Sequence, residues 1–130
     1  MTLPHETSDV VRHVIEFLPT LRTATEEISG LLMEGNTTRA MRGLAELVTG
    51  LQELHKGLEL LSFAYGSGSP GLNNCRIRLE ALYPLMLTAV EDEDPVALSD
   101  LLSYELVPTL EACAVSLRSS DDNDYNSPDN

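Results

Sequence analysis

The apolar positions of the chain fall into four long stretches of helical period, separated by short polar breaks. In the first, Val10, Val14, Leu18, Leu21, Ile28 and Leu32 recur at steps of three, four and seven. That spacing lays one apolar stripe along a helix from about Ser8 to Met33. Thr7, Ser8 or Asp9 is suited to cap its start, and Gly35 to end it. The break "EGNTT" is so short that the next helix must run back antiparallel. The second helix, about Thr38 to Ala64, is heptad-patterned: Leu44, Leu51 and Leu58 repeat at seven, as do Leu47, Leu54 and Leu61. The third runs from about Leu72 to Val90, with Ile77, Leu79, Leu82, Leu85, Met86 and Leu87 as its apolar content. After "EDED", Asp94 and Pro95 form a cap and first-turn pair. They open a fourth helix whose stripe is Leu98, Leu102, Leu106, Leu110, Cys113 and Leu117, ending near Arg118.

This pattern predicts an all-α fold: a four-helix up-and-down antiparallel bundle over residues 1–118. Residues 119–130, "SSDDNDYNSPDN", lack apolar periodicity and are expected to be a disordered acidic tail. "GSGSPG", Gly66 to Gly71, reads as a flexible link; no Lys follows at the spacing of a phosphate loop. Pro19, Pro84 and Pro108 lie inside three of the stripes. An interior proline removes a backbone donor and clashes with the preceding turn, at ~3 kcal/mol. The expectation is that each kinks its helix; the alternative is that each starts a new short one. Gly43, Gly50 and Gly57 repeat at seven along one edge of the second helix. Three glycines weaken a helix by ~1 kcal/mol each relative to alanine, so their alignment implies a close helix–helix contact, with another backbone against that edge. A groove for a partner helix is the alternative.

With 130 residues, 42% of them hydrophobic, the chain is long enough for one domain with a core. The net charge of −13 disfavours a nucleic-acid backbone or an anionic membrane as partner, and favours either plain solubility or a basic or neutral protein partner. Cys75 and Cys113 belong to no CxxC pair and are expected to be buried reduced thiols. No signal peptide and no membrane span is expected, and the chain is read as cytoplasmic.

Catalytic patterns are missing from the sequence. His5, His13 and His55 do not pair at i, i+4, and there is neither HExxH nor ExxH, so neither a zinc nor a di-iron site is expected. Asp122, Asp124 and Asn126 have the spacing of a calcium loop, but its glycine and closing glutamate are absent. The chain is expected to need no cofactor and to be no enzyme. Tyr104, Val107 and Val115 fall outside the fourth stripe and form a candidate partner surface.

Two stretches, "EGNTTRAMRGLAELVTGLQELHKGLELL" and "LEALYPLMLTAVEDEDPVALSDLL", resemble the bacterial flagellar export chaperone, a small acidic helical bundle that holds flagellin's disordered C-terminal segment. The likeness covers roughly half the chain. It implies a bundle and a flagellin-like or other secreted or structural protein as partner. The family's Tyr-containing N-terminal segment and Ser-Pro helix start are replaced here by "MTLPHETSD", and Pro84 stands where the family has a polar residue. "LLSYELVP" looks more like uncharacterised small bacterial helical proteins. No binding residue carries over. The sequence therefore predicts a non-catalytic protein-binding module, chaperone- or adaptor-like, with an apolar interhelical groove. The alternative is a structural protein that self-associates, as a homodimer, through Tyr104, Val107 and Val115.

Overall fold

The computed structural model describes residues 5–65 and 70–125, and those residues form an all-α bundle. Helix α1 spans His5–Met33, α2 Thr37–Tyr65 and α3 Pro70–Glu91. A fourth rod is built from α4, Pro95–Asp100, a π-helical stretch, Leu101–Leu106, and α5, Val107–Tyr125. α1 packs on α2 and on the fourth rod; α3 packs on the fourth rod and more sparsely on α2.

Antiparallel pairings are visible in the contacts. Gly43 lies against Ile28, Gly50 against Leu21 and Gly57 against Val14. Each seven-residue step forward in α2 is matched by seven residues back in α1. Arg22 meets Glu111, while Ser29 meets Ser99 and Ser103, so α1 and the fourth rod also run in opposite directions. The core is mostly leucine. Leu18, Leu47, Leu51, Leu54, Leu58, Leu61, Leu72, Leu79 and the four leucines at 98, 102, 106 and 110 are all buried. Each contributes roughly 2 kcal/mol by leaving water. Thr25 fills the one gap in the α1 stripe; its hydroxyl donates to the Leu21 carbonyl at 2.7 Å, so it is buried without an orphaned group.

The glycine edge does make the tight helix contact that its period implies, but side chains, not a backbone, occupy it. A Cβ on Gly57 would come within 2.9 Å of Val14 Cγ2, and one on Gly50 within 2.6 Å of Leu21 Cδ2. The glycines are sockets for α1 side chains, and no partner helix can use them.

Both three-residue turns at one end of the bundle use the same backbone device. Asn36 N–H donates to the Leu31 carbonyl (2.9 Å) and Gly35 N–H to the Leu32 carbonyl (3.1 Å); Asp94 and Glu93 donate likewise to Ala89 and Val90 (3.0 and 3.1 Å). This is the Schellman closure, which needs a left-handed residue. Gly35 supplies it with φ 79°, and Glu93 adopts it with φ 52°. Asp94 then caps α4, its carboxylate accepting from Ala97 N–H at 3.0 Å.

Pro19 and Pro84 sit inside continuous helices, so neither starts a new one. Pro108 is different. The turn before it widens, with Val107 N–H bonded to Leu102 O, five residues back. This wider register moves the carbonyls away from the pyrrolidine ring, which would otherwise strike the one four residues earlier. The fourth rod also continues past Arg118 to Tyr125, further than the sequence reading placed it. Once a helix exists, each added residue is nearly neutral, even for Ser, Asp and Asn. The rest of the expected tail, 126–130, and most of the expected Gly66–Gly71 link, 66–69, lie outside the described residues.

Candidate functional site

The sequence reading placed Tyr104, Val107 and Val115 on one partner surface. Tyr104 is 73% exposed and Val115 62%. Val107 is half-buried. The two exposed residues line different grooves: Tyr104 the one between α3 and the fourth rod, Val115 the one between α1 and α5. Eleven residues of helix separate them by ~16 Å. The structure therefore does not gather the three into one surface.

It pairs other exposed apolar residues instead: Leu85 with Tyr104 in one groove, and Val48 with Leu87 in another. Among the described residues nine large apolar side chains are exposed, and six of them lie on α3 or the fourth rod: Ile77, Leu85, Leu87, Val96, Tyr104 and Val115. Sequence reasoning assigned Ile77, Leu85 and Leu87 to the apolar content of the third helix. The buried positions are in fact Leu72, Cys75, Leu79, Leu82, Met86 and Ala89, a strict three-four alternation that leaves those three outside. Grooves run along both sides of α3. The α2–α3 groove, about 380 Å³, is lined by Leu44, Val48, Leu51, Gln52, Tyr83, Met86, Leu87 and Val90 and has no charged residue. The groove between α3 and the fourth rod, about 480 Å³, has Leu85, Ala89, Ala97, Leu101 and Tyr104 as apolar lining and carboxylates around them.

A polar group sits at the α2–α3 seam. His55 Nε2 lies 3.1 Å from Glu59 Oε1 and 3.5 Å from Glu80 Oε1, and Arg76 reaches Glu80 at 3.7 Å. Beside it, the buried Tyr83 hydroxyl and His55 Nδ1 have no hydrogen-bond partner among the described residues. Burial, reinforced by the Glu80 charge, pushes the Tyr83 pKa up. These groups bridge two helices across a seam; the cavity there takes in Tyr83 but not His55, Glu59 or Glu80. Further along α3, the buried Cys75 and Cys113 face each other as free thiols. Hydrogen bonding to Cys75 and burial drive Cys113 far above the ordinary thiol range, so it keeps its proton. The hydrogen bond from Cys113 in turn lowers Cys75.

A second polar set is wholly structural. Ser29 Oγ lies 2.7 Å from Ser99 Oγ and 2.6 Å from Ser103 Oγ, and Ser99 Oγ donates to Ser29 O at 3.4 Å. It joins α1 to α4 and to the π-helical stretch. Among the described residues no group of His, Cys, Asp and Glu has the arrangement to hold a metal ion, and no helix is long and apolar enough to cross a membrane.

Bundle, grooves and bridges together define a small helical domain whose distinguishing surface is apolar. Residues 9–114 match the model of a domain of unknown function, DUF8042, and the chain belongs to that family. Neither the curated proteins nor the solved structures contain a match to it.

Proposed function

We propose that the chain is a non-catalytic protein-binding module, chaperone- or adaptor-like, that receives a segment of a partner in an apolar groove beside α3. The observation that carries this reading is that exposed apolar side chains line the grooves on both sides of α3, Leu85 and Tyr104 in one and Val48 and Leu87 in the other. Exposed apolar side chains clustered in this way mark interaction sites. Helical grooves of this kind take the apolar face of a partner segment. The likeness to flagellar export chaperones supports the same kind of activity, and a segment of a secreted structural protein is one partner to include.

The test is capture of partners on the purified protein, followed by direct binding with each purified candidate. The Leu85→Asp, Tyr104→Asp variant disables one groove and Val48→Asp, Leu87→Asp the other. A partner that binds directly and is lost from one variant only supports the module. Identical capture by wild type and both variants sinks it.

A further inference from the structure

Charge distinguishes the two grooves beside α3, and with it the kind of partner. From Leu79 to Leu117 the chain has no Lys, Arg or His and eight acidic residues. Two of these are paired with cations: Glu80 with Arg76, and Glu111 with Arg22. Asp92, Glu93, Asp100 and Glu105 form no ion pair among the described residues, and Asp94 is held only by its capping bond to Ala97 N–H. Asp92, Asp94, Asp100 and Glu105 rim the groove between α3 and the fourth rod, around Leu85 and Tyr104. The α2–α3 groove has no such rim, and the α1–α5 groove mixes Arg22 and Arg118 with Glu111.

We infer that the groove between α3 and the fourth rod docks a basic amphipathic helix of a protein partner, with apolar side chains against Leu85 and Tyr104 and flanking Lys or Arg against the four carboxylates. This rests on the protein-binding reading and names the partner's chemistry. A helix fits better than an extended segment for a backbone reason. The walls are helices whose own peptide groups are satisfied, so an extended chain would find no edge to pair with and would leave its donors and acceptors dry. A helix brings its hydrogen bonds with it. The lining runs from Leu85 on α3 to Asp92 in the turn that follows it, about 10 Å, which is roughly two helical turns. A contact that short is weak and transient, and a single-sign rim speeds encounter and rejects acidic competitors.

The probe is a synthetic helix of about 18 residues, with leucine on one face and lysine on the flanks. Two controls accompany it: the same peptide with glutamate for lysine, and a lysine-rich scramble with no apolar face. Binding is read by calorimetry and by the Tyr104 resonances, at low and at physiological salt. The expected result is that only the amphipathic lysine peptide binds, perturbing Tyr104. The Asp92→Asn, Asp100→Asn, Glu105→Gln triple variant should weaken it about tenfold with circular dichroism unchanged, and Tyr104→Ala should weaken it similarly. Equal binding of the scramble, or undiminished binding to the triple variant, overturns the assignment, because plain attraction to an acidic protein then explains it. Failure of the lysine peptide to bind overturns it as well. The capture experiment stands apart: a neutral partner lost only from Val48→Asp, Leu87→Asp would keep the module and refute the basic helix.

Discussion

The three heptad glycines of α2 and the isolated Gly30 of α1 cost a helix the same intrinsic amount, yet their surroundings differ. A Cβ on Gly30 would meet nothing within 4 Å, so Gly30→Ala should stabilise the protein by ~1 kcal/mol, raising Tm by about 3 °C. A Cβ on Gly57 would meet Val14 Cγ2 at 2.9 Å. Valine holds one rotamer in a helix and cannot turn away, so Gly57→Ala should destabilise by ~1–3 kcal/mol despite the better propensity. Thermal unfolding of the two variants decides the point, and equal shifts would mean that the sockets are not tight. Tyr83 offers a second test at this scale. Its pKa in the folded chain is raised above 10.0, so the folded state holds that proton more tightly than the unfolded one. The associated stability is complete below pH 10 and is lost as pH rises toward the folded value. Tyr83→Phe removes a buried, unpartnered hydroxyl. It should be as stable as wild type at neutral pH, or ~1 kcal/mol more stable, and should lose less stability in chemical denaturation between about pH 9 and 11.

At the scale of elements, four helices were legible because long apolar stripes of period 3.6 leave no other reading. The fourth rod held a further signal. Leu98, Leu102, Leu106 and Leu110 are separated by fours, and a step of four overshoots an α-helical turn by about 40°. Three such steps would carry the stripe out of the core. All four leucines are nonetheless buried, because the wider π winding over Leu101–Leu106 turns the stripe back. That winding also makes room for Pro108, so the run of fours and the proline are one feature. The serine cluster was not legible, since Ser29 lies seventy residues from Ser99 and serine has no period of its own. It ties α1 to the π stretch through mutually satisfied hydroxyls. Ser29→Ala should therefore cost ~1 kcal/mol in denaturant unfolding, because it removes the hydroxyl that joins Ser99 to Ser103 and leaves Ser99 only its 3.4 Å bond to the Ser29 carbonyl. The Ser29→Ala, Ser99→Ala, Ser103→Ala triple variant should cost less than the single changes summed, since no donor is then left alone. Additive losses would show that the hydroxyls act independently.

For the molecule as a whole, the sequence contained the acidic bias but not its placement. Tyr104 was recoverable as an exposed residue from its offset to the fourth stripe. Leu85 was not, because its exposure depends on which face α3 turns to the fourth rod, and Val107 and Val115 failed as its companions because a stripe offset does not say which groove a residue borders. The fold then brings the acidic turn after α3 beside Asp100 and Glu105, and six of the eight carboxylates between Leu79 and Leu117 form no ion pair among the described residues. Such an arrangement repels itself, and salt should relieve it. The Tm of the free protein should rise by several degrees between about 20 mM and about 300 mM NaCl, as the screening length falls below the spacing of those groups. The Asp92→Asn, Asp100→Asn, Glu105→Gln variant should start from a higher Tm at low salt and respond less. Binding of the lysine-flanked helix must move the other way, weakening with salt in wild type and weak throughout in the variant. Opposite salt responses of stability and affinity, both reduced in the variant, would tie the same carboxylates to the groove. A Tm that is flat with salt and unchanged in the variant would mean that the acidic rim is simply solvated, and the groove would lose its preference for a basic partner.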